Sequence, residues 1–210
     1  MATWLGDTTP IKQGRLTLSP TAHADPIGTI AVPGVAFLMG YLTGRPIRYL
    51  AWAKPVEFVP TNFTRKVSMW QGAALCAVAG PGANVILAVL AALVLRALIS
   101  FVPEHVYLAT RDGAPHTPLG FAVRFAAVMM QLNVTLAFFN LFPMPPLDGG
   151  YLIPRRFGDV RDFLSRYSFW LLMLLFFVPI GAGGSTLGWM VLGPPVELTL
   201  GLLLRVAGVA

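Results

Sequence analysis

Residues 73–95, AALCAVAGPGANVILAVLAALVL, carry no charged side chain. Wound as an α-helix at about 1.5 Å per residue, they outlast the roughly 30 Å of hydrocarbon in a bilayer. The rest of the chain must therefore be organised around a membrane-crossing helix. The overall balance agrees: 56% of the 210 residues are hydrophobic and 11% are charged, far from the proportions of a soluble globular domain.

Further apolar runs follow the same logic. Residues 125–147 are uncharged, and the prolines at 143, 145 and 146 end regular helix, which predicts a helix over 119–142 and then an irregular turn. Residues 167–196 are also uncharged but are interrupted by GAGG at 181–184 and GPP at 193–195. They predict a crossing near 165–181 and a less regular return that ends in a helix at 196–208. The run at 27–42 is short and contains Pro33, so it either crosses with tilt or re-enters. GRLTL at 14–18 and AKPVEFVP at 53–60 have the alternating, β-branched character of short strands. The fold class expected is an all-α polytopic membrane protein, one domain over 1–210, with four to five hydrophobic segments and a few short interfacial β-strands.

The fifteen Lys and Arg against nine Asp and Glu give a net charge of +6. The cations lie between the apolar runs and form no single patch, which argues for membrane orientation and against a nucleic-acid partner. Arg45, Arg48, Lys54, Arg65 and Lys66 fill one gap, and Arg155, Arg156, Arg161 and Arg166 another. Both should face the cytoplasm, while the 102–118 gap, with Arg111 its only cation, should face away. The single cysteine, Cys76, excludes an intrachain disulfide and zinc sites built from cysteine pairs, and lies where a small buried hydrophobe is expected.

One carboxylate stands out. Asp148 follows the proline cluster in NLFPMPPLDGG, 140–150, beside Gly149 and Gly150. An acid near the bilayer is costly and usually functional, although a turn or cap residue is the plainer alternative. Prolines that fix the turn and glycines that admit close approach suit a metal ligand. Asn140 offers amide donors and a carbonyl acceptor to an extended peptide.

NLFPMPPLDGG resembles the second signature of the site-2 protease family of intramembrane zinc metalloproteases. GRLTLSPTAHADPIGTI at 14–30, WAKPVEFVPTNF at 52–63 and AGPGANVILA at 79–88 resemble successive stretches of its compact bacterial branch, in the same order. The resemblance implies cleavage of transmembrane protein substrates within the lipid bilayer of the cell membrane, one Zn2+ ion, Asp148 as a zinc ligand, and Asn140 as a substrate-binding residue; the basic gaps place Asp148 toward the cytoplasmic side. An edge near 53–60 would pair with an unwound substrate.

The family's first signature, His-Glu-x-x-His, supplies two more ligands and a catalytic glutamate. It does not occur here: the three histidines are His23, His105 and His116. In relatives a segment like ATWLGDTTPIKQGRLTL follows that signature closely, so the expected glutamate lies upstream of Met1, and a mistaken start is preferred over a relative that lost catalysis. Residues 1–210 alone are expected to bind zinc weakly. His23, with Asp25 near the interface, is a candidate for an auxiliary polar role, against a loop histidine satisfied by backbone. His105 and His116 are expected to be remote. Asn84, four residues after Gly80, reads as helix packing or as a family-like polar position. The alternatives to a protease are an inactive scaffold that binds transmembrane partners and, more distantly, a small transporter.

Overall fold

The computed structural model describes residues 1–17, 19–44, 54, 56–64, 67–101, 117–180 and 185–209. His105, Arg111, His116, the GAGG segment and most cations of the first basic gap (Arg45, Arg48, Arg65 and Lys66) lie outside those residues. The chain forms two compact units, Met1–Ala73 and Ala74–Ala210.

The first unit begins with two short helices, α1 (Thr9–Lys12) and α2 (Pro20–His23). A π-helical stretch, Pro26–Ala31, then runs directly into α3 (Val32–Thr43). Asp25 starts it by accepting the backbone N–H groups of Ile27 and Gly28 at 3.0 and 2.7 Å. Pro33 lies inside this stretch, just after the change from π-helix to α-helix, and its missing N–H removes one bond of the ladder without ending the helix. The interrupted run at 27–42 is thus one continuous helical stretch, Pro26–Thr43, long and apolar enough to cross a membrane.

The segments expected as strands are not strands among their described residues, 14–17, 54 and 56–60. Hydrogen bonds that a ladder would need are spent otherwise. The N–H of Val59 goes to Asp7 at 2.7 Å, and that of Glu57 to the Gln13 side chain at 3.3 Å. Short strands do occur, but elsewhere: β1 (Pro179–Ile180) and β2 (Ser185–Thr186) form a small antiparallel pair.

Helix α4 (Met69–Phe101) starts from a reciprocal cap, with Ser68 Oγ accepting the Gln71 N–H and Gln71 Oε1 accepting the Ser68 N–H. In the second unit α4 packs with α5 (Pro118–Leu141) and, after α6 (Gly158–Phe177), with α7 (Leu187–Ala207). The shared core is made of small and medium side chains: Ala88, Ala92 and Leu95 from α4, Val123, Ala126, Met130 and Val134 from α5, and Val196 and Ala207 from α7. Small residues let membrane helices approach closely where lipid offers no hydrophobic drive to associate. Large apolar side chains such as Ile86, Phe121, Phe125 and Leu198 point outward instead, as a lipid-facing surface requires. Phe176 of α6 meets Phe139 and Phe142 edge-to-face, with centroids 5.2 and 5.8 Å apart.

Helices Pro26–Thr43, α4, α5 and α7 are each long and apolar enough to span a bilayer. α5 falls within one residue of its sequence expectation. The crossing expected at 165–181 is instead the second half of α6, which runs from Gly158 to Phe177 and is not one of these candidate spans, because its first half carries Asp159, Arg161, Asp162 and Arg166. α7 corrects the expected helix at 196–208. It starts at Leu187, where Thr186 Oγ1 caps the Trp189 N–H at 3.3 Å, and passes through Pro194 and Pro195. Unwinding the flanking turns would expose more backbone to lipid than the two missing proline donors do.

Candidate metal-ligand turn

The chain leaves α5 at Leu141 and winds tightly back. Phe142 N–H reaches Phe139 O at 3.1 Å, Leu147 N–H reaches Met144 O at 2.9 Å, and Gly150 N–H reaches Leu147 O at 3.0 Å. Met144 is buried, and the Pro145–Pro146 bond is cis. Asp148 opens a 3-10 turn, Asp148–Leu152. The glycines after it have no room for a side chain. A Cβ on Gly149 would fall inside the carbonyl oxygens of Leu141 and Phe142, and one on Gly150 would lie 2.7 Å from Pro145 N. The turn is therefore pressed against the end of α5, and Asp148 is carried by a rigid support.

The Asp148 carboxylate turns toward α4. A Cβ on Gly80 would stand 3.0 Å from Asp148 Oδ2. Gly80 is eleven residues after the first residue of α4, about 16 Å along the axis at 1.5 Å per residue. Asp148 thus lies beside the length of a membrane helix and not beyond its end. The side chain is half-buried, and among the described residues nothing donates a hydrogen bond to it or pairs its charge. Burial works against the charged form of the carboxyl. Half-buried, rigidly carried and without a partner among the described residues, it suits a bound cation, which would favour its charged form. No group of three or more His, Cys, Asp or Glu side chains that could hold a metal ion occurs among the described residues.

Asn140 is half-buried on the last turn of α5, just before the chain enters this loop. Asn84 is half-buried one helical turn beyond Gly80 on α4, hence on the same face. The turn thus brings Asp148 to the small-residue face of α4 and keeps Asn140 at its own entrance. Cys76 is half-buried in α4. His23 belongs to the first unit, where its Nε2 lies 2.9 Å from Thr17 O and its carbonyl accepts the Lys54 N–H at 3.0 Å. That is a backbone-anchored position at the end of α2.

Sequence reasoning missed Gly80 at this turn and, within the first unit and apart from the site, Asp7. Gly80 reads in the sequence as one small residue among many, and nothing in GPGAN says which of its glycines meets Asp148. Asp7 reads as an ordinary loop acid but is fully buried. It accepts hydrogen bonds from Thr9 N at 2.9 Å, Thr9 Oγ1 at 2.6 Å, Val59 N at 2.7 Å and Asn62 Nδ2 at 3.1 Å. Its only visible signal is the pattern Asp-Thr-Thr-Pro, typical of a turn before a helix.

Residues 56–176 match the model of Peptidase family M50. The chain is also similar to "Putative zinc metalloprotease YwhC" of Bacillus subtilis (strain 168), with 34% identity over 181 residues that cover 84% of this chain and 71% of the relative. No solved structure matches. With four apolar helices among the described residues and this kinship, the chain has the character of a multi-pass membrane protein of a metalloprotease family. It belongs to Peptidase family M50, the site-2 protease family.

Proposed function

We propose that this chain takes part in zinc-dependent intramembrane proteolysis, with Asp148 as a metal ligand and Asn140 as a residue that holds the substrate backbone. The observation that carries the proposal is the Asp148 carboxylate itself: half-buried beside Gly80 and without a donor or counter-charge among the described residues. An isolated acid at membrane depth costs stability and persists where function needs it. Family membership supplies the reaction class.

Zinc, when bound, activates water and polarises a peptide carbonyl. The chain's own residues do the remaining work assigned here. The 141–150 turn fixes Asp148 as an oxygen donor, and the Asn140 amide can donate to a substrate carbonyl and accept from a substrate N–H. The substrate is a transmembrane segment that must unwind locally, because a helix keeps its carbonyls hydrogen-bonded to itself. Arg156, Arg161 and Arg166, all close after Asp148 in sequence, favour a cytoplasmic side for the turn. The His-Glu-x-x-His signature that family resemblance implies is not among the 210 residues.

The test is cleavage of a transmembrane reporter, together with zinc content, for the gene product that includes any in-frame sequence upstream of Met1. Cleavage with stoichiometric zinc, both lost in Asp148→Ala, is expected. Zinc and cleavage that survive Asp148→Ala would refute the role of Asp148. A metal-free product that retains uncleaved membrane partners would replace the protease reading with the scaffold.

A further inference from the structure

We infer that Gly80 of α4 is a positioning residue for the Asp148 carboxylate: the absent side chain at 80 fixes where Oδ2 stands. The inference rests on the metal-ligand reading of Asp148 for its consequence, but its geometry is independent of any metal.

Two surfaces confine the acid. Behind it, Gly149 and Gly150 press the backbone of the turn onto Leu141, Phe142 and Pro145, so the main chain cannot retreat. In front of it stands α4, with a hypothetical Cβ at position 80 only 3.0 Å from Oδ2. A methyl group there is tighter than ordinary van der Waals contact, and the flexible partner is the carboxylate, which must shift by a few tenths of an ångström. A metal site tolerates about 0.5 Å of departure from productive geometry, and a displacement of a few tenths of an ångström takes up much of that margin. Pro81, the next residue of α4, is fully buried. Gly82, two residues on in the same helix, has nothing within 4 Å of the position its Cβ would take. The two glycines share a helix and a helix-propensity change on substitution but differ in contact with Asp148.

That difference defines the experiment. In residues 1–210 carrying 13C-carboxyl aspartate, with the Asp148 resonance assigned through Asp148→Asn, Gly80→Ala should move that resonance and Gly82→Ala should leave it in place. In the longest in-frame gene product loaded with Co2+, Gly80→Ala should weaken the metal about tenfold, the scale of supporting-residue losses, and alter the visible d–d bands. Gly82→Ala should match wild type in both. An unmoved Asp148 resonance in Gly80→Ala, or equal shifts in the two variants, overturns the inference. If wild type takes up no Co2+, the metal reading falls, and the 13C comparison alone decides the position of the carboxylate.

Discussion

Asp7 Oδ2 accepts the backbone N–H of Val59 at 2.7 Å, joining residues fifty-two positions apart. The same carboxylate gathers Thr9 and Asn62, so a buried charge ties the first turn of the chain to the 59–62 segment. Burial works against that charge, and hydrogen bonds from the Thr9 side chain, the Val59 and Thr9 backbone and Asn62 outweigh it. They lower Asp7 from 3.8 to about 2. Because the folded value is the lower one, the unfolded chain binds more protons between them. The stabilisation is complete above about pH 4 and is lost as pH falls through about 2. Pepsin cleavage within residues 1–64, mapped by mass spectrometry between pH 5 and 2, should rise through this window. Asp7→Ala strands the Val59 N–H, a loss of about 1–3 kcal/mol. It should therefore be cleaved readily at pH 5 and show a flatter pH response.

Asp148 predicts the opposite separation of stability from function. Its carboxylate has no hydrogen-bond donor among the described residues, and burial opposes its charge. Asp148→Asn removes the charge at nearly constant volume. The variant should melt in detergent at the wild-type temperature or above it, while zinc binding and reporter cleavage are lost. A marked drop in melting temperature would mean that the carboxylate holds the fold together and is not reserved for a ligand.

The glycine after it should be intolerant for steric reasons. A Cβ at 149 collides with two backbone carbonyl oxygens, those of Leu141 and Phe142, which cannot rotate away as a side chain would. Gly149→Ala is expected to cost about 1–3 kcal/mol or more, as overpacking does. Gly158→Ala, at a position with nothing within 4 Å, should cost far less. Thermal unfolding of the two variants in the same detergent provides the comparison.

Much of the fold was legible because composition acts on whole segments. The uncharged runs that became α4 and α5 could adopt no other bilayer-compatible structure, and the prolines at 143, 145 and 146 marked the end of α5. The misplaced elements depended on tertiary partners. GRLTL and PVEFVP have strand-like residues, but the N–H groups of Glu57 and Val59 are claimed by Gln13 and Asp7. GPP should break a helix by local rules, yet α7 continues through it under the constraint of the membrane. At the candidate site, Asp148 and the need for Gly149 could be read from one short motif. Gly80 could not, since its role depends on which face of α4 meets the turn.

Far along α4 from the turn, Arg96 joins that helix to α7. Arg96 Nη1 donates to Val206 O at 2.9 Å, linking α4 to the last turn of α7. The final carbonyls of a helix lack partners within it, and near lipid an unpaired carbonyl has no water to turn to. Neighbouring Leu95 and Ala207 are both buried in the same core cluster, so the guanidinium secures the end of α7 directly above packed side chains. Arg96→Met keeps much of the aliphatic length but loses a charge-assisted bond, about 1.5–3 kcal/mol. Amide exchange at residues 204–209 should accelerate in that variant and rise less in Arg96→Lys, which retains a donor. Arg205→Met, which removes a cation from an exposed position on the same turn of α7, should leave it nearly unchanged. Equal acceleration in Arg96→Met and Arg205→Met would assign the effect to lost positive charge near the helix end and not to the hydrogen bond with Val206.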